Sequence, residues 1–380
     1  MKVLMLDPLD GNPYGPDLAS ALWDQGIDVR LLVPLGFRNQ ERTKCPYEEV
    51  SPRGGRGRWV RKLMEETRYL HRIWRLARRW RPDVVHVQWL RMKQEVHLIP
   101  MLRSLGIPIV ITAHNVFPHE RGPRDEAHHR RYFGAADRVI AHEPSARADL
   151  IRVLGLPAEK VDVVPHGIPE DAAPALDRTT ARRRIGIDPS ATTFLLFGGI
   201  RPYKGHDTLV RAFRQAGGGG QLVLGGWGTR RSVQELNDWV GSFESETRER
   251  IHLRLNEDAP LPHDVVNDLF AACDCVALPY RSISQSGVLL QAFYHERPVL
   301  ASSVGGFRHA IEDGFNGRLL EPGDEPGWAN ALTTLSLNPD VLQDWGRNGR
   351  RRALEQCGYT RVALETIATY ERAIGRAAGD

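Results

Sequence analysis

The feature that most constrains this chain is an alternation, sustained from one end to the other, of short apolar runs with stretches of helical periodicity. The runs Val3 to Leu6, Val29 to Val33, Val84 to Val87, Ile109 to Thr112, Arg138 to Ala141 and Val161 to Val164 are short and predominantly apolar. That pattern suits strands buried on both faces, the condition of a parallel sheet covered by helices. A break rich in Pro, Ala and Asp lies between Pro165 and Asp177. A second series follows at Thr193 to Phe197, Gln221 to Leu224, Ile251 to Leu255, Cys275 to Leu278 and Pro298 to Ala301. The chain has 380 residues, 41% of them hydrophobic, which is enough for two cores. The expected fold class is therefore α/β with two Rossmann-like domains, residues 1–170 and 171–359. A last helix over about 360–380 carries Val362, Ala363, Ile367, Tyr370 and Ile374 at helical spacing and is a candidate to pack back on the first domain.

Composition narrows the function classes. Net charge is only +4, yet eleven Lys or Arg residues stand between Arg53 and Arg81 against two acids, Glu65 and Glu66. A local basic surface is expected rather than a generally basic protein. Cys45, Cys273, Cys275 and Cys357 show no zinc-type pairing, which suits reduced thiols and a cytoplasmic location. His114, His119, Glu120, His128 and His129 have ligand-type side chains but no metal-binding spacing, and no metal site is expected. There is no long apolar run and no basic, apolar leader, so neither a membrane span nor a signal peptide is expected.

In doubly wound sheets ligands bind beyond the carboxyl ends of the strands, and the unusual residues fall there. After Phe194 to Phe197 comes Gly198-Gly199-Ile200-Arg201-Pro202-Tyr203-Lys204-Gly205. Glycines that allow a sharp turn, with Arg201 and Lys204 beside them, suit an anion such as a diphosphate; a plain turn with two solvated cations is the alternative. After Thr112 comes His114-Asn115-Val116-Phe117-Pro118-His119-Glu120, with His114 the main candidate for a reacting-centre contact. After Leu278, the polar loop Tyr280 to Gln285 runs into an apolar helix that Ser284 or Ser286 can cap. The amides of Ser286, Gly287 and Val288 would then point toward a phosphate or a sugar hydroxyl, with Gln291 one turn further in.

Taken together, Phe197 to Gly205, the start at Ser286-Gly287-Val288, Pro298 to Ala301 with Val304-Gly305-Gly306, the turn Glu312-Asp313-Gly314-Phe315-Asn316-Gly317, and Val164-Pro165-His166-Gly167 resemble retaining glycosyltransferase family 4. The resemblance implies a GT-B enzyme with a central interdomain cleft, a nucleotide-diphosphate sugar as co-substrate on the second domain, and a saccharide or lipid-linked saccharide acceptor mainly on the first. It implies no cofactor and no metal. Arg201 and Lys204 would neutralise the leaving diphosphate, and His114 would lie near the transferred sugar. Gly199, Ser284, Gln285, Ser286, Gly287, Val288 and Gln291 would complete the donor site. Gly11, Asn12, Tyr14 and Gly15, with Asn115, His119 and Glu120, would face the phosphates or the acceptor.

One departure stands out. The family usually has two glutamates where this chain has Ile283 and Gln291. Gln291 keeps a carbonyl acceptor for ribose hydroxyls, whereas Ile283 keeps nothing polar. A nucleotide-sugar epimerase and a non-catalytic partner in polysaccharide assembly stay open as alternatives. The segment Trp59 to Trp80 reads as an amphipathic helix with Arg61, Arg68, Arg72, Arg75 and Arg79 on its cationic face. That face is either solvated or attracted to an anionic membrane surface, which would make the protein peripheral on the inner face; nothing marks it for nucleic acid.

Overall fold

In a computed structural model of the chain, residues 1–380 are described except 9–12, 38, 51–58, 90–96, 117–124, 172, 174–175, 218–219, 284–285 and 378–380. The side chains of 59–66, 125 and 376–377 are likewise outside the description. Two compact units result, Met1–Gly167 with Cys357–Asp380, and Ile168–Gln356.

The first unit holds a seven-stranded parallel sheet of β1 (Lys2–Leu6), β2 (Asp28–Val33), β3 (Tyr47–Glu49), β4 (Val84–Val87), β5 (Ile109–Ala113), β6 (Arg138–Ala141) and β7 (Val161–Val163). Their order is β3-β2-β1-β4-β5-β6-β7. Alternate residues of each strand go to opposite faces. Leu4, Leu6, Val85, Val87, Ile109 and Ile111 pack on one side with Ile73 and Ala77 of the helix Trp59–Trp80. Val3, Met5, Val84, Val110 and Ile140 pack on the other with Leu18 and Leu22 of the helix Tyr14–Asp24. The C-terminal helix Tyr359–Ala377 belongs to this second face, burying Val362, Ala363, Tyr370 and Ala373 completely. Its exposed flank carries Leu364 and Arg361.

The second unit holds β8 (Thr193–Gly199), β9 (Gln221–Gly228), β10 (Ile251–Glu257), β11 (Cys275–Leu278), β12 (Val299–Ser302) and β13 (Gly317–Leu320) in the order β10-β9-β8-β11-β12-β13, all parallel. Phe194, Leu196, Leu222, Leu224, Ala277 and Leu300 fill one face with Trp328 and Leu332. A buried ion pair anchors the start of this unit: Asp274 accepts from Arg182 at 2.5 Å, Arg178 at 2.7 Å and the Thr193 backbone amide at 2.7 Å. Every oxygen of that carboxylate is therefore engaged, the condition under which a buried charge is tolerated.

Two features differ from the sequence expectation. Strands β3 and β13 are edge strands that their residues did not announce: Tyr47-Glu48-Glu49 is largely polar, and Gly317 reads as turn punctuation but opens β13, where a Cβ would run into the Val299 carbonyl of the neighbouring strand. The glycines after Phe197 and Leu224 also stay within their strands, with Gly198 opposite Gly226 and Gly199 opposite Trp227. They serve close approach, and the turn itself comes later, at Gly205 with φ 67°.

Candidate functional site

In each sheet the strand order reverses at one point, between β1 and β4 and between β8 and β11, and there the connections diverge and leave a crevice at the carboxyl ends. In the second unit the crevice is visible in the pairing itself. Strand β8 pairs with β9 along its whole length but with β11 only through Phe194 and Leu195. The side chain of Lys204 folds back into this opening. Its Nζ donates to the Phe197 carbonyl at 3.3 Å and lies 5.3 Å from the centre of the Tyr280 ring. Gly198, at φ 117°, leaves the space the ammonium fills; a Cβ there would collide with Nζ. Gly205 is equally constrained, because a Cβ would strike the Pro279 carbonyl.

Lys204 is only 8% exposed. Burial, and then the charge of Arg201, pull its pKa down to about 8. Among the described residues no carboxylate pairs with Lys204 or with the exposed Arg201. Asp207, two residues beyond the turn, is held elsewhere, by Arg281 at 2.6 Å and Arg211 at 3.9 Å. Arg281 also donates to the Pro202 carbonyl at 2.8 Å, and its amide to the Tyr203 carbonyl at 2.7 Å, so the loops after β8 and β11 are tied together.

The loop after β11 leads to the helix Gly287–Tyr294, whose N-cap is Ser286, accepting from the Leu289 amide at 3.4 Å. Val288 places Cγ2 near the open side of Gly198, which brings this helix start beside Lys204. Gly287 is exposed, and Gln291, one turn further, is half-buried on the same side of the helix. Ile283 is half-buried, and its carbonyl packs against Gly305, which at φ 45° has no room for a side chain. Gly199 is buried against Trp227. Ser284 and Gln285 lie outside the described residues.

In the first unit, His114 and Asn115 follow β5 and are half-buried. Around His114 the structure gathers Tyr14, which the sequence reading placed in the phosphate or acceptor loop, together with residues that it did not select. Trp89 stacks on it at 4.1 Å with planes 7° apart, and Tyr14 meets it edge-on at 4.8 Å. Gln88 and His142 approach its two ring nitrogens at 3.1 Å each. His166 packs on Tyr14 at 4.6 Å, and His86 bridges Thr112 at 2.7 Å and the Tyr370 hydroxyl of the C-terminal helix at 2.6 Å. Burial keeps these rings uncharged. His86 and His142 are lowered to about 3 and His166 to about 4, and His114 is pushed well below its ordinary value by burial and then by its histidine neighbours. Gly15 sits in the first turn of Tyr14–Asp24 where a Cβ would meet the Asp7 carboxylate. The Asp7 carboxylate thus lies against Gly15 at that helix start. Gly11, Asn12, His119 and Glu120 lie outside the described residues.

The missed residues had one signal in common. Gln88 and His142 directly follow strands, and Trp89 and His166 come within three residues of one, at the same end of the sheet as His114. Each is a single residue in no motif of its own, apart from His166, and His86 lies inside a strand.

Two doubly wound units with a cationic, glycine-lined crevice in the second define a GT-B architecture. The profile described as Glycosyltransferase Family 4 matches residues 17–172, and that described as Glycosyl transferases group 1 matches residues 191–338. A D-inositol 3-phosphate glycosyltransferase of Pseudarthrobacter chlorophenolicus is 28% identical over 97% of this chain and 91% of its own length. One from Kineococcus radiotolerans is 34% identical over 63% of this chain and 58% of its own. Among solved structures, Anabaena HepE with UDP and glucose superposes with a TM-score of 0.75 at 19% identity, covering 98% of this chain and 99% of that one. Sucrose-phosphate synthase from Thermosynechococcus elongatus gives 0.74 at 18%, covering 99% and 100%. The chain is a glycosyltransferase whose first part resembles glycosyltransferase family 4 and whose second resembles the group 1 glycosyl transferases.

Proposed function

We propose that this enzyme transfers the sugar of a nucleotide-diphosphate sugar to a hydroxyl of a saccharide or lipid-linked saccharide, with retention and without a metal ion. The observation that carries this is the buried ammonium of Lys204, uncompensated among the described residues and backed by Arg201, at the carboxyl end of β8. A buried cation without a counterion is costly unless a ligand supplies the anion. Relatives named as glycosyltransferases and a neighbour solved with UDP and glucose support a nucleoside diphosphate as that anion.

In the proposed reaction the acceptor oxygen bonds to the anomeric carbon on the face from which the phosphate oxygen departs. The C–O bond to the diphosphate breaks, and the acceptor proton passes to the departing phosphate oxygen. Negative charge grows on that oxygen, and cations already in place stabilise it without reorganising. Lys204 and Arg201 supply this charge, which gives the leaving group a protein counterion. Gln291 offers its carbonyl oxygen to the ribose hydroxyls, and His114 contacts the transferred sugar.

The exposed Arg68, Arg72, Arg75 and Arg79 on the helix Trp59–Trp80 meet anionic headgroups in this reading. Arg72 is partly committed to Glu48 at 2.7 Å, and the Arg61 side chain lies outside the described residues. Salt-sensitive co-sedimentation with anionic but not neutral vesicles is expected; equal binding to both would sink this part.

The decisive experiment is calorimetric titration of UDP, GDP and ADP into the wild type and into Lys204→Met. One nucleotide is expected to bind the wild type and to lose about 100-fold or more in the variant, as befits removal of a buried charge-assisted bond. Equal affinity in the two proteins would refute the assignment. Product anomer by NMR, with and without chelator, tests retention and metal independence.

A further inference from the structure

The hydrogen bonds around His114 run in one direction. Their anchor is the Val164 carbonyl, which can only accept, so its 3.0 Å contact with His142 places a proton on Nδ1 of His142. A neutral imidazole has one N–H, which leaves Nε2 of His142 as an acceptor. Nδ1 of His114 lies 3.1 Å from that nitrogen and must donate to it. Nε2 of His114 is then an acceptor, and it faces Gln88. Gln88 Oε1 is the nearer atom, with Nε2 beside His86 at 3.3 Å; half a turn of the amide exchanges the two, and the direction of the chain requires the NH2 against His114. The stacked Trp89 and edge-on Tyr14 hold the ring in the plane that both bonds need.

We propose that His142 is a positioning residue that fixes His114 in the Nδ1–H tautomer, so that the nitrogen His114 offers to a ligand hydroxyl is an acceptor. The tautomer of a histidine is set by the bond its other nitrogen makes, and here that bond leads through His142 to a backbone carbonyl. A sugar hydroxyl that displaces the Gln88 amide would donate to Nε2 of His114. The functional consequence rests on the reading of His114 as a contact of the transferred sugar; the tautomer itself does not. Burial of both rings, which keeps them uncharged at neutral pH, agrees with the arrangement.

The test uses the full chain labelled with 15N-histidine, in long-range 1H–15N correlation spectra at neutral pH, with His114 assigned by loss of its signals in His114→Gln. The wild type is expected to show a pyrrole-type Nδ1 and a pyridine-type Nε2 at His114. In His142→Phe, which keeps a ring but removes both nitrogens, the Nε2–H form should become the major species. His142→Gln, which retains a donor and an acceptor on one amide, should restore the Nδ1–H form at least in part. A wild-type His114 protonated on Nε2 would overturn the proposal, as would an unchanged tautomer in His142→Phe. Should that variant fail to fold, the wild-type spectrum and His142→Gln still decide. Undiminished sugar transfer in His114→Gln would instead overturn the site reading while leaving the tautomer result intact.

Discussion

The two strand-end regions of this molecule handle polarity in opposite ways. Around the end of β5, the imidazoles of His86, His114 and His142 are bonded to protein partners and kept neutral by burial. Beyond β8, Lys204 is buried with one carbonyl and one aromatic face for company, and Arg201 stands exposed beside it. The first region can exchange hydrogen bonds with uncharged hydroxyls at little electrostatic cost. The second is incomplete without an anion. The contrast with Asp274 is equally direct: that buried charge has Arg182, Arg178 and a backbone amide, and its role is to hold the fold.

The largest test of this contrast is Lys204→Met. Nucleotide affinity should fall by about 100-fold or more, while thermal stability of the free protein should hold or rise, because an unpaired buried cation opposes folding. The charge-paired region should behave oppositely: Asp274→Asn should lower the melting temperature with nucleotide affinity per folded molecule unchanged, at a cost of about 3 kcal/mol. Differential scanning calorimetry and titration on both variants separate the cases. A loss of stability in Lys204→Met with unchanged affinity would erase the distinction.

The pH dependence comes next. Lys204 titrates at about 8 in the free protein, below the ordinary lysine value of 10.5. A depressed folded pKa means that the charged group opposes folding fully below about 8, and that this opposition fades as pH rises toward the ordinary value. A bound diphosphate favours the charged form. Affinity should therefore be highest below about 8 and should weaken above it, by up to about tenfold per pH unit. Titrations from about pH 7 to about pH 10 check the sign, and a Lys204→Arg variant, charged throughout, should flatten the curve. A smaller effect is expected for Arg201→Ala, about tenfold in affinity and reduced by salt, because its exposed guanidinium is screened. The smallest is Gln291→Glu, which should tighten nucleoside diphosphate binding by a few fold if this side chain holds the ribose, since a carboxylate is the stronger acceptor. Nucleoside monophosphate and diphosphate should gain alike.

Much of the fold was legible from the chain because buried parallel strands leave a strong signature. Each of the eleven apolar runs became a strand, to within one residue at the start and up to four at the end. The edge strands β3 and β13 escaped because an edge needs little apolar sequence. At the candidate site, Arg201, Lys204 and His114 stood out through their position after strands. The role of Gly198 was misread, since a glycine that makes a turn and one that makes room for a neighbouring ammonium look alike in sequence. His142 and Tyr370 were invisible as partners, being 28 residues from His114 in the first case and 284 from His86 in the second.

The sequence by itself determined two parallel, helix-covered sheets and placed the chemistry at their carboxyl ends, because strand burial and period are local properties of the chain. Only the tertiary structure decided which charges are compensated and which are not. Among the described residues Lys204 is a buried cation without a counterion, because β11 leaves β8 after Leu195 and Asp207 is drawn to Arg281. His114 is a neutral ring with a directed pair of bonds because β4, β5 and β6 bring Gln88 and His142 to its two sides. Charge balance and bond direction depend on neighbours distant in sequence, and folding is what supplies them.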